Sequence, residues 1–567
     1  MTLNLLDKIG NWNPQLFREI KGRLKMGNMA IVSAISLIFQ LHLFWICRIQ
    51  IPVAPPPGKY TDPIYNQFCT TLEELAENVV VRKCVRDAWG QFAINWQAWW
   101  LQIFSWLSIF SVLALLVAGT YLLVSDLDRE ESRGTLNFIR LSPQSANTIF
   151  IGKILGVPIL LYLAAILAVP LHLYSGLAAH IPLNKILCFY TAVAASCALF
   201  YSAAMLFGLT TSWLGRFQPW LASGMVFVVF GISATIKFKA WTTVDLVIFL
   251  SPIAILRYLL LGIIDEEHYS SSFVGGLYNL QWFYSPVGTN IASGLALSLL
   301  IYGTGTYWMW QGWQRRFPNP NATVLSKRQS YLVVICCQPI ILGFALQSDA
   351  KDYHNVGGLL LFNLLLFLAF LAALTSDRQS LYDWARYRQQ IVPSSHKLWR
   401  RYPLLDLIWS EKSQAVVAIA INFLSSVIIL TSWMPFKENE TKGCWGVIFC
   451  LNLIVIYASI TQLFLFTQTR NPKILAVGYF GCTIWLLLPV ILSLLLLTPK
   501  QVPPIYWLSS TLPLPGYWGY SSVTGVSRNT ILLSILSQWS VLVLLNLKLR
   551  SQLKLAGESA SKALLKA

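Results

Sequence analysis

Charged side chains are scarce in this chain, and motifs for phosphate binding are absent. Only 12% of the 567 residues are charged, whereas 56% are hydrophobic, and a soluble domain carries about 25% charged residues. No Gly-x-x-x-x-Gly-Lys-Ser/Thr loop occurs, because Gly152-Lys153 is followed by Ile154 and lacks the upstream glycine. We therefore expect no ATPase site and no bound cofactor in this chain.

Other catalytic, metal-binding and ion-coupling patterns are also missing. The sequence has no hydrolytic serine elbow, no His-Glu-x-x-His motif and no Cys-x-x-Cys or Cys/His grouping among its ten cysteines. Charges are almost absent from the long apolar runs, and His172 stands alone in one of them. This absence counts against a gradient-driven ion-coupled transporter. Polar residues in the runs are expected to pair between helices: Asn363, Asn422, Asn452 and Gln462.

Apolar runs of about 20 residues, enough to cross a bilayer core of about 30 Å, recur along the whole chain. Backbone groups in hydrocarbon must be paired internally, so these runs predict an all-α polytopic membrane protein. The runs lie at 29–48, 97–124, 154–175, 186–212, 219–236, 244–264, 287–312, 331–347, 357–375, 413–433, 445–467, 474–497 and 529–547. No cleavage site follows the first run, which is expected to remain as a span.

The positive-inside rule reduces these runs to about twelve spans. If every run crossed, the basic segment 378–412 would face outward. The run at 244–264 is the weakest, because Asp245 and Arg257 interrupt it. With this run on the outer side, nearly all of the +18 net charge falls on cytoplasmic segments. We expect a cell-membrane protein with both termini cytoplasmic, whose basic loops face anionic lipid and not nucleic acid.

Short motifs recur in an order that predicts two pseudo-repeated six-helix halves. Asn13-Pro14 and Asn319-Pro320 precede the first and seventh spans, while Ser125-Asp126 and Ser376-Asp377 follow the second and eighth. The predicted organisation is an amphipathic cytoplasmic helix in 1–28, a first half at 29–312, a linker at 313–330, a second half at 331–547 and a basic tail at 548–567.

An amphipathic helix is expected before the first span. Its apolar face would contain Leu16, Phe17, Ile20 and Leu24, and its basic residues are Arg18, Lys21, Arg23 and Lys25. Such a helix lies in the membrane surface with its basic side toward the lipid headgroups. An ordinary basic flank that only fixes orientation is the alternative.

The polar loop 126–153, between the second and third spans, carries the most specific pattern. Glu131-Ser-Arg-Gly134-Thr135-Leu136 is followed by Ser142-Pro143 and then by Gly152-Lys153. This order resembles the cytoplasmic loop of ABC transporter type-2 permeases, the membrane subunits of ATP-driven exporters. The resemblance implies that the chain is a permease without its own ATPase site. It also implies a partner, a cytoplasmic nucleotide-binding ATPase in two copies that uses the ATP.

The resemblance further implies an elbow helix at the amino terminus, a partly re-entrant outer segment at 250–262 and an ATPase-docking helix in the loop. The implied coupling residues are Glu130, Glu131, Arg133, Gly134, Thr135, Leu136, Arg140 and Pro143. The equivalent second-half residues are Asp377, Arg378, Asp383 and Arg386, in a segment that lacks Gly-Thr-Leu. Whether both loops couple therefore stays open, and a solvated loop without a partner is the alternative.

The outer loop 49–96 contains Cys69 and Cys84, which can form a disulfide on the oxidising side of a membrane. Its acidic residues Glu73, Glu74 and Glu77 fall in a stretch, 71–80, that we read as a solvated helix. A membrane-embedded lipid- or glycan-modifying enzyme would use such acidic residues and remains the second functional alternative, beside the gradient-driven transporter.

Overall fold

The computed structural model of the chain is built from α-helices and one two-stranded hairpin. It describes residues 8–55, 63–75, 79–236, 243–261, 276–347, 352–375, 378–391, 408–411, 413, 415–431, 452, 454–463 and 528–557. The chain divides into two compact units, and the main boundary follows Pro318, inside the predicted linker. The short segments 241–244 and 281–284 belong to the second unit.

The first unit is almost entirely helical. In chain order its helices are α1 (Pro14–Arg23), α2 (Met26–Ile49), α3 (Trp96–Leu113), α4 (Gly119–Ser132), α5 (Thr135–Leu141), α6 (Ala146–Gly156), α7 (Ile159–Ala178), α8 (Leu183–Thr210), α9 (Gln218–Thr235), α10 (Asp245–Phe249), α11 (Ile253–Leu260) and α12 (Ile291–Arg316). A π-helical turn at Ala114–Ala118 joins α3 to α4 without a break.

The helices that the structure describes in the second unit follow apolar runs, except for the polar helix α15. In chain order they are α13 (Lys327–Ala345), α14 (Asp352–Leu374), α15 (Arg378–Ile391), α16 (Ala415–Thr431), α17 (Ile454–Leu463) and α18 (Arg528–Gly557). The last helix continues ten residues past the predicted end of the final span at 547.

Capping residues explain where several of these helices begin. The Asn13 side chain accepts a hydrogen bond from the Leu16 amide, and Ser145 does the same for Thr148. Ser326 and Gln329 form a reciprocal capping box at the start of α13. Because the first amides of a helix have no partner within it, these side chains fix the helix start from local sequence alone.

Within the part of the chain that the structure describes, six helices are long and apolar enough to cross a membrane, or seven if a bent pair counts as one span. They are Met26–Ile49, Trp96–Ser132, Ile159–Ala178, Leu183–Thr210, Ser212–Thr235 and Lys327–Ala345, and the bent pair is Leu361–Leu374 with Gln379–Arg386. The chain is therefore a multi-pass, all-α membrane protein. The described residues give six or seven spans and not the twelve predicted.

The difference in span number has identifiable causes. The predicted run 287–312 does form helix α12, but its second half is rich in Gly, Thr, Tyr and Trp and is less apolar than a typical span. Helix α16 has only 17 residues. Part of the run at 445–467 and all of 474–497 lie outside the described residues.

The run 244–264, which the distribution of charges had excluded as a span, forms two short helices, α10 and α11, of five and eight residues. Ser251-Pro252 separates them, and both helices are buried. Arg257 is fully buried, and its guanidinium donates 2.6 Å to the Ser233 carbonyl at the end of α9. A buried charge that caps a neighbouring helix explains how Arg257 is tolerated here.

Polar side chains in the second unit pair across helices, as expected. The Gln338 amide donates to Asn363 and to Ser426, at 2.5 and 2.9 Å. The Asn422 amide donates to the Ser330 hydroxyl at 2.8 Å. Each pair joins two different helices, so these hydrogen bonds connect the helices in an apolar interior.

The outer loop is a β-hairpin where a helix over 71–80 was predicted, and that prediction was wrong. Strands β1 (Thr71–Leu75) and β2 (Val79–Lys83) are antiparallel, and Cys69 and Cys84 form a disulfide that flanks them, with Cα atoms 4.9 Å apart. Three consecutive valines in β2 favour a strand, since branched side chains pack well on a pleated surface. The helix prediction was based on the acidic residues of this stretch and took no account of the strand preference of the valines.

Candidate functional site

The second span is one uninterrupted helix that is far longer than a bilayer core. It runs for 37 residues from Trp96 to Ser132, which is roughly 55 Å at about 1.5 Å per residue. A hydrocarbon core of about 30 Å leaves roughly 25 Å of helix outside it. The charged residues of this helix begin at Asp126, so its last seven residues, roughly 10 Å, extend on the side predicted to be cytoplasmic.

The π-helical turn within this span is held by the neighbouring helix α8. The Tyr201 hydroxyl donates to the Leu115 carbonyl at 2.8 Å. A Cβ atom on Gly119 would collide with the Tyr201 ring, so glycine is required for this close contact. The extra residue of a π turn changes the direction of every later side chain, and such turns occur often at functional sites.

Helix α4 ends in a tight turn that reverses the chain into α5. Gly134 has φ +71°, in the left-handed region that favours glycine. The Thr135 hydroxyl donates to the Glu130 carbonyl at 3.2 Å and so satisfies one open group at the end of α4. The Gly-Thr pair that marked the sequence motif therefore has a direct structural role in the turn.

Helix α5 presents apolar side chains to solvent. Leu136 and Ile139 are buried against the protein, but Phe138 is 77% exposed and Leu141 is 85% exposed. The Arg140 guanidinium lies 5.8 Å from the centre of the Phe317 ring. Glu131, Arg133 and Pro143, which were also predicted to be coupling residues, are exposed around the turn. Glu130, another predicted coupling residue, is instead largely buried and pairs with Arg18.

Six charged side chains form a closed ring at the base of α4. The bases are Arg18 and Arg23 of α1 and Lys153 of α6, and the acids are Glu19 of α1 and Asp126 and Glu130 of α4. Each acid contacts two bases and each base contacts two acids. In ring order the distances are Glu19–Arg18 3.2 Å, Arg18–Glu130 2.6 Å, Glu130–Lys153 2.7 Å, Lys153–Asp126 2.6 Å, Asp126–Arg23 2.6 Å and Arg23–Glu19 3.1 Å.

The ring is electrically neutral, and much of it is removed from solvent. The Lys153 side chain is 0% exposed and is bound by two carboxylates of α4. Burial lowers the pKa of Arg18, but the charges of Glu130 and Glu19 outweigh it and raise that pKa overall. Removing the buried Lys153 would leave the ring with one uncompensated negative charge, and breaking a buried pair costs about 3–5 kcal/mol. The ring therefore ties α1, α4 and α6 together.

Helices α1 and α6 approach each other closely beside the ring. A Cβ on Gly152 would lie 2.8 Å from the Leu16 amide nitrogen, and one on Gly156 would lie 2.5 Å from the Glu19 Cβ. The Asn13 amide also donates 2.9 Å to the Thr148 carbonyl. Small residues four apart allow two helix backbones to come together in this way.

The predicted amphipathic helix forms at Pro14–Arg23, but it buries a different face from the one predicted. Its buried residues are Gln15, Leu16 and Glu19, while Phe17 and Ile20 are partly exposed. Hydrophobic spacing alone favoured the apolar face. The ion pairs of Arg18 and Arg23 with the acids of α4, together with the close contact of α1 with the two glycines of α6, turn the polar face inward instead.

The three acids of the ring lie close enough to bind a cation, with ligand atoms within 4.8 Å of one another. Three basic side chains already contact these carboxylates and neutralise them. A divalent ion would have to displace Lys153 from its two partners. The geometry fits ion pairing better than metal binding.

A second polar group connects three spans of the first unit. His172 Nε2 lies 2.7 Å from the Ser108 hydroxyl, and Nδ1 lies 2.9 Å from the Tyr190 hydroxyl. Ser108 also donates to the Phe104 carbonyl at 2.8 Å, so His172 donates to Ser108 and accepts from Tyr190. The 2.7 Å between Ser108 and His172 is a distance typical of a catalytic nucleophile and its general base. Ser108 is nevertheless fully buried, and its hydroxyl donates to the Phe104 carbonyl of its own helix. This arrangement fits helix pairing.

The second-half counterpart of the loop is built differently. Arg378 begins helix α15, and Asp383 and Arg386 are exposed on it, whereas Asp377 lies outside the described residues. Helix α14 and helix α15 meet at a bend of 68°. The long straight extension of the first half is therefore not repeated here.

Sequence reasoning missed the ring, although each member was visible. Lys153 was considered as part of an incomplete phosphate loop and as the end of the loop pattern, and Arg18 and Arg23 as the basic side of an amphipathic helix or as a basic flank, but none of them as a partner of Asp126 or Glu130. A lysine at the start of an apolar run is costly unless it is paired, and the paired acids at i and i+4, Asp126 and Glu130, were the available signal.

Comparisons with known proteins give no further assignment. No protein-family model matches this sequence, no curated protein is significantly similar to it, and no solved structure matches it.

Proposed function

We propose that this chain is the membrane-spanning permease subunit of an ATP-driven ABC exporter. A separate cytoplasmic nucleotide-binding ATPase supplies the energy, and the first-half loop receives the movement. The observation that carries the proposal is the 37-residue helix Trp96–Ser132, which turns at Gly134 into a short helix with exposed apolar side chains.

The exposed pair Phe138 and Leu141 supports a protein partner at this position. Large apolar side chains grouped on a short polar-flanked helix are unfavourable in water and are typical of a buried interface core. Arg133 and Glu131 next to them offer charges for the polar rim of such an interface.

The ion ring supports the transmission of movement from that interface. Helix α4 cannot tilt without either carrying α1 and α6 with it or breaking two contacts of the buried Lys153. Because breaking them is costly, the three helices are expected to move as one body. A displacement at α5 would then reach the first span through the elbow helix α1.

The proposal also includes the arrangement of the two halves and the kind of cargo. Two six-span halves fused in one chain would supply a complete translocation path, so a single chain would serve two ATPase copies. The scarcity of charge within the described spans is compatible with a hydrophobic or lipid-like cargo. It offers no coordination site for a driving ion.

Co-expression with the nucleotide-binding subunit tests the proposal. We expect the two proteins to copurify, and the Leu141→Asp variant to lose the ATPase while it still folds. The matched control is Leu555→Asp, since Leu555 is 60% exposed on the predicted cytoplasmic tail. If the wild-type chain recovers no ATPase subunit, or if both variants behave alike, the proposed coupling role is wrong.

A further inference from the structure

The second-half helix α15 already has a partner within the chain. Leu381, Trp384 and Ala385 are buried on one side of it, and they pack with Leu549 of the C-terminal helix α18. Leu553, one turn further along α18, lies against the same cluster. The apolar side of α15 is therefore covered by the end of the chain itself.

Among the side chains of α15 that the structure describes, those left exposed are polar. Gln379, Asp383 and Arg386 are exposed on its other side. Helix α5 of the first half has the opposite character, because it exposes Phe138 and Leu141. Two surfaces predicted to serve equivalent subunits thus differ in their chemistry.

Helix α18 is longer than a bilayer core is thick, so part of it is free to contact α15. Its 30 residues span roughly 45 Å at about 1.5 Å per residue, compared with a hydrocarbon core of about 30 Å. The residues that cover α15 lie in its last third, where Lys548, Arg550 and Lys554 indicate the side predicted to be cytoplasmic. By length, one continuous helix could therefore cross the core, as predicted for 529–547, and still reach α15, although α18 is not among the six or seven candidate spans.

We propose that the chain engages its ATPase through α5 alone, and that α18 takes the apolar face of α15 which would otherwise dock a second copy. This inference rests on the proposed permease function. The second ATPase subunit is then held by its own dimer partner and not by the second half of this chain. The coupling is then one-sided. A second loop that docks no ATPase has no need of the Gly-Thr-Leu turn, which agrees with the absence of this motif there.

Binding measurements on the full complex test the one-sided contact. We expect Phe138→Asp to reduce the recovered ATPase about ten-fold or more, because an apolar interface anchor contributes at least about that factor. We expect the double variant Asp383→Arg/Arg386→Glu to change recovery less than about two-fold. Equal losses for the two variants would overturn the inference.

The internal contact of α15 can be tested without any partner. A photoreactive residue in place of Leu553 should form an adduct with the segment 378–391 in the isolated chain. The matched control is the same residue at position 555, which is exposed on the same helix and should give no such adduct. An adduct from neither position would overturn the covering role of α18.

These outcomes separate the two proposals. If wild-type chain binds no ATPase, the permease function fails, and the photoreaction still reports on α15 and α18. If ATPase binding is lost in both the α5 and α15 variants, the permease function stands and the one-sided contact fails.

Discussion

Replacing Lys153 by methionine is the most direct test of the ion ring. The substitution keeps the length and most of the volume of the side chain but removes the positive charge from a fully buried site. Asp126 would keep Arg23, and Glu130 would keep Arg18, but each acid would lose its closest buried counter-charge. Breaking a buried pair costs about 3–5 kcal/mol.

That magnitude is measurable as a loss of thermal stability. A destabilisation of this size corresponds to a decrease in apparent Tm on the order of 5–10 °C for a unit of this length. The assay is thermal unfolding of the purified chain in detergent, followed by the fraction that remains monodisperse. Scan rate must be held constant, because membrane proteins commonly unfold irreversibly.

The outer hairpin offers a matched control. Lys83 and Glu73 also form an ion pair, at 3.0 Å, but both side chains are 36% exposed. Exposed pairs contribute about 0–1 kcal/mol, so Lys83→Met should lower the Tm by no more than about 2 °C. A result in which Lys153→Met is no more damaging than Lys83→Met would show that the ring does not hold the three helices together.

A rescue variant separates loss of charge from loss of packing. In the double variant Lys153→Met/Asp126→Asn, one base and one acid are removed, so the remaining charges of Arg18, Arg23, Glu19 and Glu130 balance. We expect it to recover at least half of the lost stability, since the uncompensated negative charge is the main cost. If the double variant is as unstable as Lys153→Met alone, the lost methylene packing and not the charge is responsible.

Three further predictions concern two glycines of the first unit and the disulfide beside the hairpin. Gly156→Leu should destabilise the chain by about 1–3 kcal/mol, because its side chain would collide with Glu19, whereas Gly22→Ala, in open space, should be neutral or stabilising in the same unfolding assay. Gly134→Val should weaken ATPase copurification and lower stability by about 1–2 kcal/mol, since its φ of +71° is unfavourable for a branched residue, and Gly134→Asn should retain more of both. Cys84→Ser should make the outer hairpin cleavable by added protease, because the disulfide closes a loop of 15 residues and contributes about 3 kcal/mol, and unchanged protease resistance would contradict this.

Local chemistry explains why much of the helical architecture was predictable. Asn13, Ser145 and Pro14 mark helix starts by hydrogen bonding or ring geometry within a few residues, and uninterrupted apolar runs mark the spans. The interruptions by Asp245 and Arg257 likewise indicated that 244–264 is not one crossing helix. The hairpin at 71–83 was mistaken for a helix because strand pairing depends on a partner strand and on a disulfide, and spacing along one segment contains neither.

Hydrophobic length and charge distribution along the chain were enough to predict a helical, multi-pass membrane protein with a charged loop after its second span, because both are properties of the sequence. The three-dimensional arrangement was needed to show that Arg18, Asp126 and Lys153, far apart in sequence, belong to one ring, and that α15 is covered by α18. Both results depend on which helix faces approach each other over long sequence separations. Glycine contacts and charge pairing set the approach in the ring, and the packing of apolar side chains sets it between α15 and α18.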